Sequence, residues 1–322
     1  MNSIERHSKM IAESIASWNL PTTPKNLYEP LRYFLTLGGK RMRPVLTLMG
    51  TELFGEKGES AIHAAMGVEL FHNFTLIHDD IMDAAPLRRS KTTVHTKWNE
   101  NIAILSGDVL MVKAYQEICK QNPKHLAELM LVFNKTAVEV CEGQQMDMDF
   151  ETRNDVTIEE YIEMIRLKTS VLLGGALEMG AIIAGASESD RKKLYTFGQE
   201  LGLAFQIKDD YLDLYGDPEK FGKQIGGDVI SNKKTLLYLL ALENANTQQR
   251  EIFRQLEDES DLDLKVRNVR QLFDQFEIPN LAQAQMDKHF EKGMTALNEI
   301  SVPKDNKKDL IDLSHYLMGR EN

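Results

Sequence analysis

Apolar residues return every three or four positions along nearly the whole chain, the spacing of an amphipathic helix, and strand-like alternation is scarce. The periodicity predicts helices over residues 4–18, 27–37 and 45–54, then longer ones over 61–82, 102–119, 126–148, 158–184 and 194–214. After Lys234 the pattern continues in shorter, more charged helices to the C-terminus. Punctuation falls where helices should stop: Gly38-Gly39 closes one, Pro86 ends another and Asn122-Pro123 breaks a third. Central segments such as 170–184 are apolar around most of their circumference, which marks helices buried inside a large bundle. The expected class is all-α, a single large antiparallel helical bundle forming one domain over residues 1–322, with no linker or short repeat to divide it.

Composition narrows the class without changing it. Hydrophobic residues make up 42% and charged residues 27% of the 322, ordinary for a soluble globular protein. No apolar run approaches a membrane span, and Met1-Asn2-Ser3-Ile4-Glu5-Arg6-His7 lacks the basic-then-apolar order of a signal peptide. The two cysteines, Cys119 and Cys141, have no metal-ligand spacing, so a cytoplasmic location is expected. A net charge of −11 argues against a general nucleic-acid binder. It also requires that any site for a phosphate be made locally positive.

Charge is gathered in a way that points to such a site. Asp79-Asp80-Ile81-Met82-Asp83 and Asp209-Asp210-Tyr211-Leu212-Asp213 are both Asp-Asp-x-x-Asp boxes inside apolar stretches. On a helix the first and last members of each lie one turn apart on one face. Carboxylates this dense resist ionising together unless a hard cation intervenes, and Mg²⁺ suits them because it reserves positions for water and substrate phosphate. An antiparallel bundle can set the boxes on facing helices across one cavity. Three basic clusters accompany them: Lys40-Arg41-Met42-Arg43 after Gly38-Gly39, Arg88-Arg89 after the first box, and Lys223 with Lys233-Lys234 after the second. Alone, each cluster reads as a solvated face or a salt bridge back onto an Asp. Together, in an acidic protein, they point to diphosphate ligands, and to two of them.

Gly38-Gly39-Lys40-Arg41-x-Arg43-Pro44, His72, Asp79-Asp80-x-x-Asp83, Arg88-Arg89, Lys168-Thr169 and Phe205-Gln206-x-x-Asp209-Asp210-Tyr211-Leu212-Asp213, in that order, resemble the trans-prenyl diphosphate synthases, such as farnesyl and geranylgeranyl diphosphate synthase. The resemblance implies an all-α isoprenoid-synthase fold around a deep central cavity, and a homodimer. It implies Mg²⁺ as cofactor, three ions per active site with substrate bound and Mn²⁺ as a substitute. Asp79, Asp83 and Asp209 would be the principal metal ligands, with Asp80, Asp210 and Asp213 completing the shells. Arg88, Lys168 and Lys223 would hold the allylic diphosphate (dimethylallyl, geranyl or farnesyl), with Lys233 approaching it. Lys40, Arg43, His72 and Arg89 would bind isopentenyl diphosphate. Thr169 and Gln206 would lie near the reacting carbons, Gln144 would line the cavity, and Arg320 would sit in a basic tail. Ser90 departs from the family's usual glycine after the arginine pair.

The implied chemistry is ionisation, condensation and elimination. Cations stabilise the departing diphosphate, and the allylic cation needs a dry pocket free of strong nucleophiles. His72 lies two turns before Asp79 on nearly the same face, which favours a ligand-binding role over a core one, whereas His78 and His95 read as ordinary structural residues. The growing tail would run down the helix before the first box. There Phe74, about 7.5 Å below Asp79 at 1.5 Å per residue, occupies the family's floor position, with small Thr75 beside it and Phe71 one turn deeper. One aromatic beside a small residue resembles the geranylgeranyl pattern, so a fifteen- to twenty-carbon product is expected, leaning to the longer; Phe71 and Phe74 as plain core is the alternative. Three other functions compete. A terpene cyclase leaves Lys40, Arg43 and Arg89 unexplained; a non-catalytic partner subunit leaves the intact boxes unexplained. A di-iron bundle needs a second Glu-x-x-His besides Glu69-x-x-His72, and none exists.

Overall fold

The computed structural model describes residues 3–217 and 225–319. Among these residues helices run almost throughout, and the only strands are Leu87–Arg88 and Lys91–Thr92, paired antiparallel. The all-α expectation holds. Chain contacts divide the molecule into two compact units: Met1–Asn134 with Gly175–Arg191 and Val302–Asp309, and Lys135–Gly174 with Lys192–Ser301 and Leu310–Asn322.

In the first unit the central helix is Ile62–Met82, buried continuously from Ala64 to Phe71. It packs most extensively on Glu100–Ile118 and also on Met42–Leu53. Gly67 permits this close approach, because a Cβ there would meet Ile118 and stand 3.0 Å from the Ala114 carbonyl. Gly50 and Gly180 do the same where Met42–Leu53 meets residues 177–180, and the Thr51 hydroxyl donates to the Gly180 carbonyl at 3.1 Å. Phe71 is fully buried, 5.3 Å from Phe133 and 5.7 Å from Phe74 between ring centroids, within an aromatic cluster that continues to Tyr115.

In the second unit Glu188–Tyr215 supplies the long element and Leu236–Asn244 the most buried one. A core of Leu203, Ile207, Leu236, Leu240, Phe253, Phe273 and Ile278 forms around them, so the region after Leu237 is largely packing. Capping fixes the surrounding helix starts: Thr157 with Glu160 and Asn246 with Gln249 both form capping boxes.

Three local expectations change. The first Asp-box helix is not ended by Pro86. Its last residue is Met82, and it closes in a Schellman motif: Ala84 takes a left-handed φ of 48°, Ala85 donates to the Asp80 carbonyl at 2.9 Å and Ala84 to Ile81 at 3.1 Å. Pro123 does not break a helix but opens Pro123–Thr152, where its missing N–H costs nothing. The helix expected over 158–184 is interrupted by a π turn at Arg166–Ser170. Periodicity could not show it, since one extra residue in a turn barely disturbs an apolar run.

Candidate functional site

In the first unit, functional side chains cluster about the end of Ile62–Met82. Asp83 is the exposed C-cap, Asp79 is half-buried one turn before it, and Asp80 is 1% exposed. Arg88 grips Asp80 through Nε at 2.8 Å and Nη2 at 2.7 Å, both to Oδ1, while Asp80 Oδ2 is buried with no hydrogen-bond partner. Burial raises the Asp80 carboxyl above its usual range, and Arg88 opposes the rise. The salt bridge back onto the box is therefore real in this state.

Arg89 and Ser90 form the two-residue turn of the hairpin, with φ of 52° and 60°. Both lie in the left-handed region that a type I′ turn demands, which is why glycine suits the Ser90 position. The turn brings Arg89 back onto the double glycine: its Nη1 donates to the Gly38 carbonyl, and a Cβ on Gly39 would stand 2.7 Å from the guanidinium. Gly39 therefore does more than stop a helix; it makes room for Arg89.

The Lys40–Arg43 cluster divides by role. Arg41, with φ of 51°, turns inward onto Glu69 and the Leu35 carbonyl, and Asn73 donates to the same Glu69 carboxylate at 2.7 Å. These partners occupy Glu69, consistent with rejecting a di-iron site. Lys40 is exposed. Arg43 meets His72 with Nη1 3.1 Å from Nε2, and its buried Nε has no partner. Burial, then the neighbouring arginines, push the His72 imidazole well below its usual range, so it is neutral and accepts the Arg43 hydrogen through Nε2. Burial and Arg89 likewise lower Arg43, opposed by Glu69 and Asp79, and burial followed by Arg41 lowers Arg89. Neither Arg43 nor Arg89 has a carboxylate within ion-pair distance among the described residues. Arg43 and Arg89 repel each other here, and an anion would relieve that repulsion.

Phe74 is half-buried against His78, ring centroids 4.6 Å apart, and the Thr75 hydroxyl donates to the His72 carbonyl at 2.9 Å. His78 Nε2 lies 3.2 Å from the Ile104 carbonyl and 3.7 Å from Asp108 Oδ1.

In the second unit the π turn presents Lys168 and Thr169. Two glycines let neighbouring helices close on that turn: a Cβ on Gly143 would strike the Lys168 backbone, and one on Gly202 would stand 2.9 Å from Ser170. Lys168 pairs with Asp147, and Thr169 Oγ1 donates to Gln206 Oε1 at 3.3 Å. Gln206 Nε2 donates to Asp210 Oδ1 at 3.2 Å, and the Tyr161 hydroxyl to Asp210 Oδ2. Burial, then Asp228, push the Asp210 carboxyl up to about 8, against the pull of Tyr161 and Gln206. Asp213 accepts the Asp228 backbone N–H at 3.0 Å, and its carbonyl accepts that of Gly226 at 2.7 Å. Lys265, only 3% exposed, donates to Asn232 Oδ1 at 2.6 Å and the Glu257 carbonyl at 3.0 Å, steadying the left-handed Asn232 just before Lys233. A cavity of about 550 Å³ within this unit is walled by Lys168, Thr169, Gln206, Asp210, Asp228 and Lys233, among others; Asp209 and Asp213 are not in its lining. Gln144 is buried near the π turn's helix contact. Lys223 and Arg320 lie outside the described residues.

Sequence reasoning missed Tyr161, although it stands two helical turns before Lys168, and it missed Lys265, which carries no motif. Among the described residues no group of three or more His, Cys, Asp or Glu side chains is gathered closely enough to hold a metal ion by itself. The donor set still suits Mg²⁺: all its members are hard oxygens, and the buried, unpartnered Asp80 Oδ2 and the crowded Asp210–Asp228 pair are both short of positive charge.

The polyprenyl synthetase family model matches residues 24–275. A short chain isoprenyl diphosphate synthase of Methanothermobacter thermautotrophicus is 36% identical over 323 aligned residues, covering 100% of this chain and 99% of that protein. The crystal structure of a geranylgeranyl pyrophosphate synthase superposes with a TM-score of 0.94 at 46% identity over 100% of both chains. That of the geranylgeranyl pyrophosphate synthetase from Pyrococcus horikoshii gives 0.92 at 37% identity, over 98% of this chain and 97% of the other.

Proposed function

The chain belongs to the polyprenyl synthetase family, and from that premise we propose that it condenses isopentenyl diphosphate head-to-tail with an allylic diphosphate, giving a trans-prenyl diphosphate of farnesyl to geranylgeranyl length, the latter favoured. The observation that supports this is the Arg43 contact with His72, Nη1 to Nε2 at 3.1 Å, on the helix that ends in the first acidic box. A cyclase, which takes one diphosphate, has no use for a second anion seat beside its acidic box.

Asp79, Asp83 and Asp209, aided by Asp80 and Asp213, would hold Mg²⁺, which when bound neutralises charge on the leaving diphosphate. Few carboxylates per ion suffice, since substrate oxygens and water complete the shell. Arg88, Lys168, Lys223 and Lys233 hold the allylic diphosphate, and Lys40, Arg43, His72 and Arg89 the isopentenyl one. By accepting from Arg43, His72 aims the guanidinium without adding a charge. The allylic C–O bond breaks, the isopentenyl double bond attacks the allylic carbon, and a proton leaves to the released diphosphate. Thr169 and Gln206 offer dipoles to the cation, and their hydrogen bond to each other fixes how those dipoles point. Phe74 acts as the floor, with Thr75 leaving room beside it and Phe71 beneath.

Residues 1–322 are read as one catalytic domain, since a single family model matches residues 24–275. A homodimer would cover Ile104, Leu105 and Val112, apolar side chains 42%, 58% and 55% exposed on Glu100–Ile118. A cytoplasmic setting suits the exposed thiols of Cys119 and Cys141. No helix among the described residues is long and apolar enough to cross a membrane.

The test is product length in the presence of Mg²⁺, isopentenyl diphosphate and farnesyl diphosphate. Wild type should stop at geranylgeranyl, and Phe74→Ala should run longer. An unchanged product from Phe74→Ala removes the floor. Phe71→Ala is the poorer probe, because emptying a fully buried ring site costs about 3–5 kcal/mol of stability.

A further inference from the structure

We propose that Tyr161 is a positioning residue: its hydroxyl anchors the Asp210 carboxylate, which in turn fixes the Gln206 amide at the reacting centre. The proposal rests on the prenyl-transfer function above and adds to it a residue outside the acidic boxes and the lysine-threonine pair.

Tyr161 is 4% exposed on Ile158–Ile165, and Asp210 is 7% exposed on Glu188–Tyr215. The Tyr161 hydroxyl donates to Oδ2, and Gln206 Nε2 donates to Oδ1 at 3.2 Å. Both Asp210 oxygens are therefore taken by the protein's own donors. With its amide nitrogen turned to Asp210, Gln206 has Oε1 left to take the Thr169 hydroxyl at 3.3 Å. The hydrogen-bonded chain Tyr161–Asp210–Gln206–Thr169 thus ties the second acidic box to the π turn that carries Lys168. Tyr161 and Asp210 both reach the cavity wall beside Lys168. Asp210 serves as an anchor in this arrangement, and the Tyr161 hydroxyl acts through it. Outer partners of this kind, when removed, cost on the order of ten- to a hundredfold in metal affinity or activity.

Tyr161→Phe removes one oxygen and keeps the ring. In the full chain, two readouts apply: calorimetric binding of inorganic diphosphate with Mg²⁺, and steady-state kinetics against Mg²⁺ concentration. The variant should bind Mg²⁺-diphosphate about tenfold more weakly and need correspondingly more Mg²⁺ for half-activation. Its kcat should fall while the KM for isopentenyl diphosphate stays within about twofold, since that seat lies in other residues. Wild-type diphosphate affinity, Mg²⁺ dependence and kcat with only a lower melting temperature would reduce Tyr161 to a packing residue and overturn the proposal. If Tyr161→Phe does not fold, Tyr161→Phe/Asp210→Asn removes the buried charge along with its donor. Its kcat should match that of Asp210→Asn alone, and a further tenfold loss would show that Tyr161 does not act through Asp210. A wild-type protein that binds diphosphate but joins no isoprenyl units would sink the function while leaving the calorimetric test of Tyr161 intact.

Discussion

The same five-residue box occurs in two settings, and the two are neutralised differently. Both end long helices, where the negative end of the macrodipole adds to the repulsion among carboxylates. In the first, a guanidinium answers the charge: Arg88 sits on Asp80, and Arg43 and Arg89 stand close by. In the second, neutral donors answer it, with Tyr161 and Gln206 on Asp210, while Asp228 adds another negative group. The first box therefore balances charge with charge, whereas in the second burial pushes the Asp210 carboxyl up to about 8. A shared motif fixes which atoms can meet a metal; the neighbours fix how much that metal is needed.

The largest effect should come from the ligand-bearing ends of the boxes. Asp79→Ala and Asp209→Ala should each lower kcat by about 10²- to 10³-fold or more, the scale of losing one preorganised charge-stabilising group. A box whose variant keeps activity within about threefold would be structural only, and the comparison would collapse to one functional site.

Next comes the anion seat beside the first box. Charged hydrogen bonds contribute about 1.5–3 kcal/mol, so Arg43→Ala should raise the KM for isopentenyl diphosphate about ten- to a hundredfold, with the allylic KM little changed. Equal rises in both would merge the two diphosphate seats.

The pH dependence of metal-free stability sharpens the contrast. His72 has a folded pKa well below the unfolded value near 6.5, so below about pH 6.5 the unfolded chain gains a proton the folded one refuses, and acid destabilises. Asp210 works the other way. The unfolded carboxyl ionises near pH 4 and the folded one near about 8, so stability falls as pH rises through that window. Urea melts from pH 5 to 8.5 should show His72→Gln flattening the acid side and Asp210→Asn the alkaline side; parallel curves for all three proteins would refute the assignment.

The smallest effect is at the hairpin. Ser90→Gly relieves a left-handed serine, φ 60°, and should stabilise by about 1 kcal/mol or less with unchanged kcat.

Much of this was legible in the sequence, and what was not has physical reasons. Helix positions followed from apolar spacing, because burial of one face is what makes these segments helical. Box geometry followed from helical pitch. The role of Arg41 did not follow, since its partner Glu69 is 28 positions away and reached only through a left-handed turn. The folding of Arg89 back onto Gly38 was hidden for the same reason: a two-residue turn and the bare Cα of Gly39 place it, and neither is periodic. The π turn at Arg166–Ser170 meets close helix contacts at Gly143 and Gly202, which mean little until the neighbouring helix is known, and the Tyr161 anchor joins residues 49 positions apart.

The most direct measurement counts inorganic diphosphate released against isopentenyl diphosphate consumed by the wild-type protein, with farnesyl diphosphate and Mg²⁺ present. One diphosphate for each isopentenyl unit joined, with none released when Mg²⁺ is chelated, is the predicted result. Diphosphate released from the allylic substrate while isopentenyl diphosphate remains untouched would contradict condensation and point to a cyclase or a hydrolase.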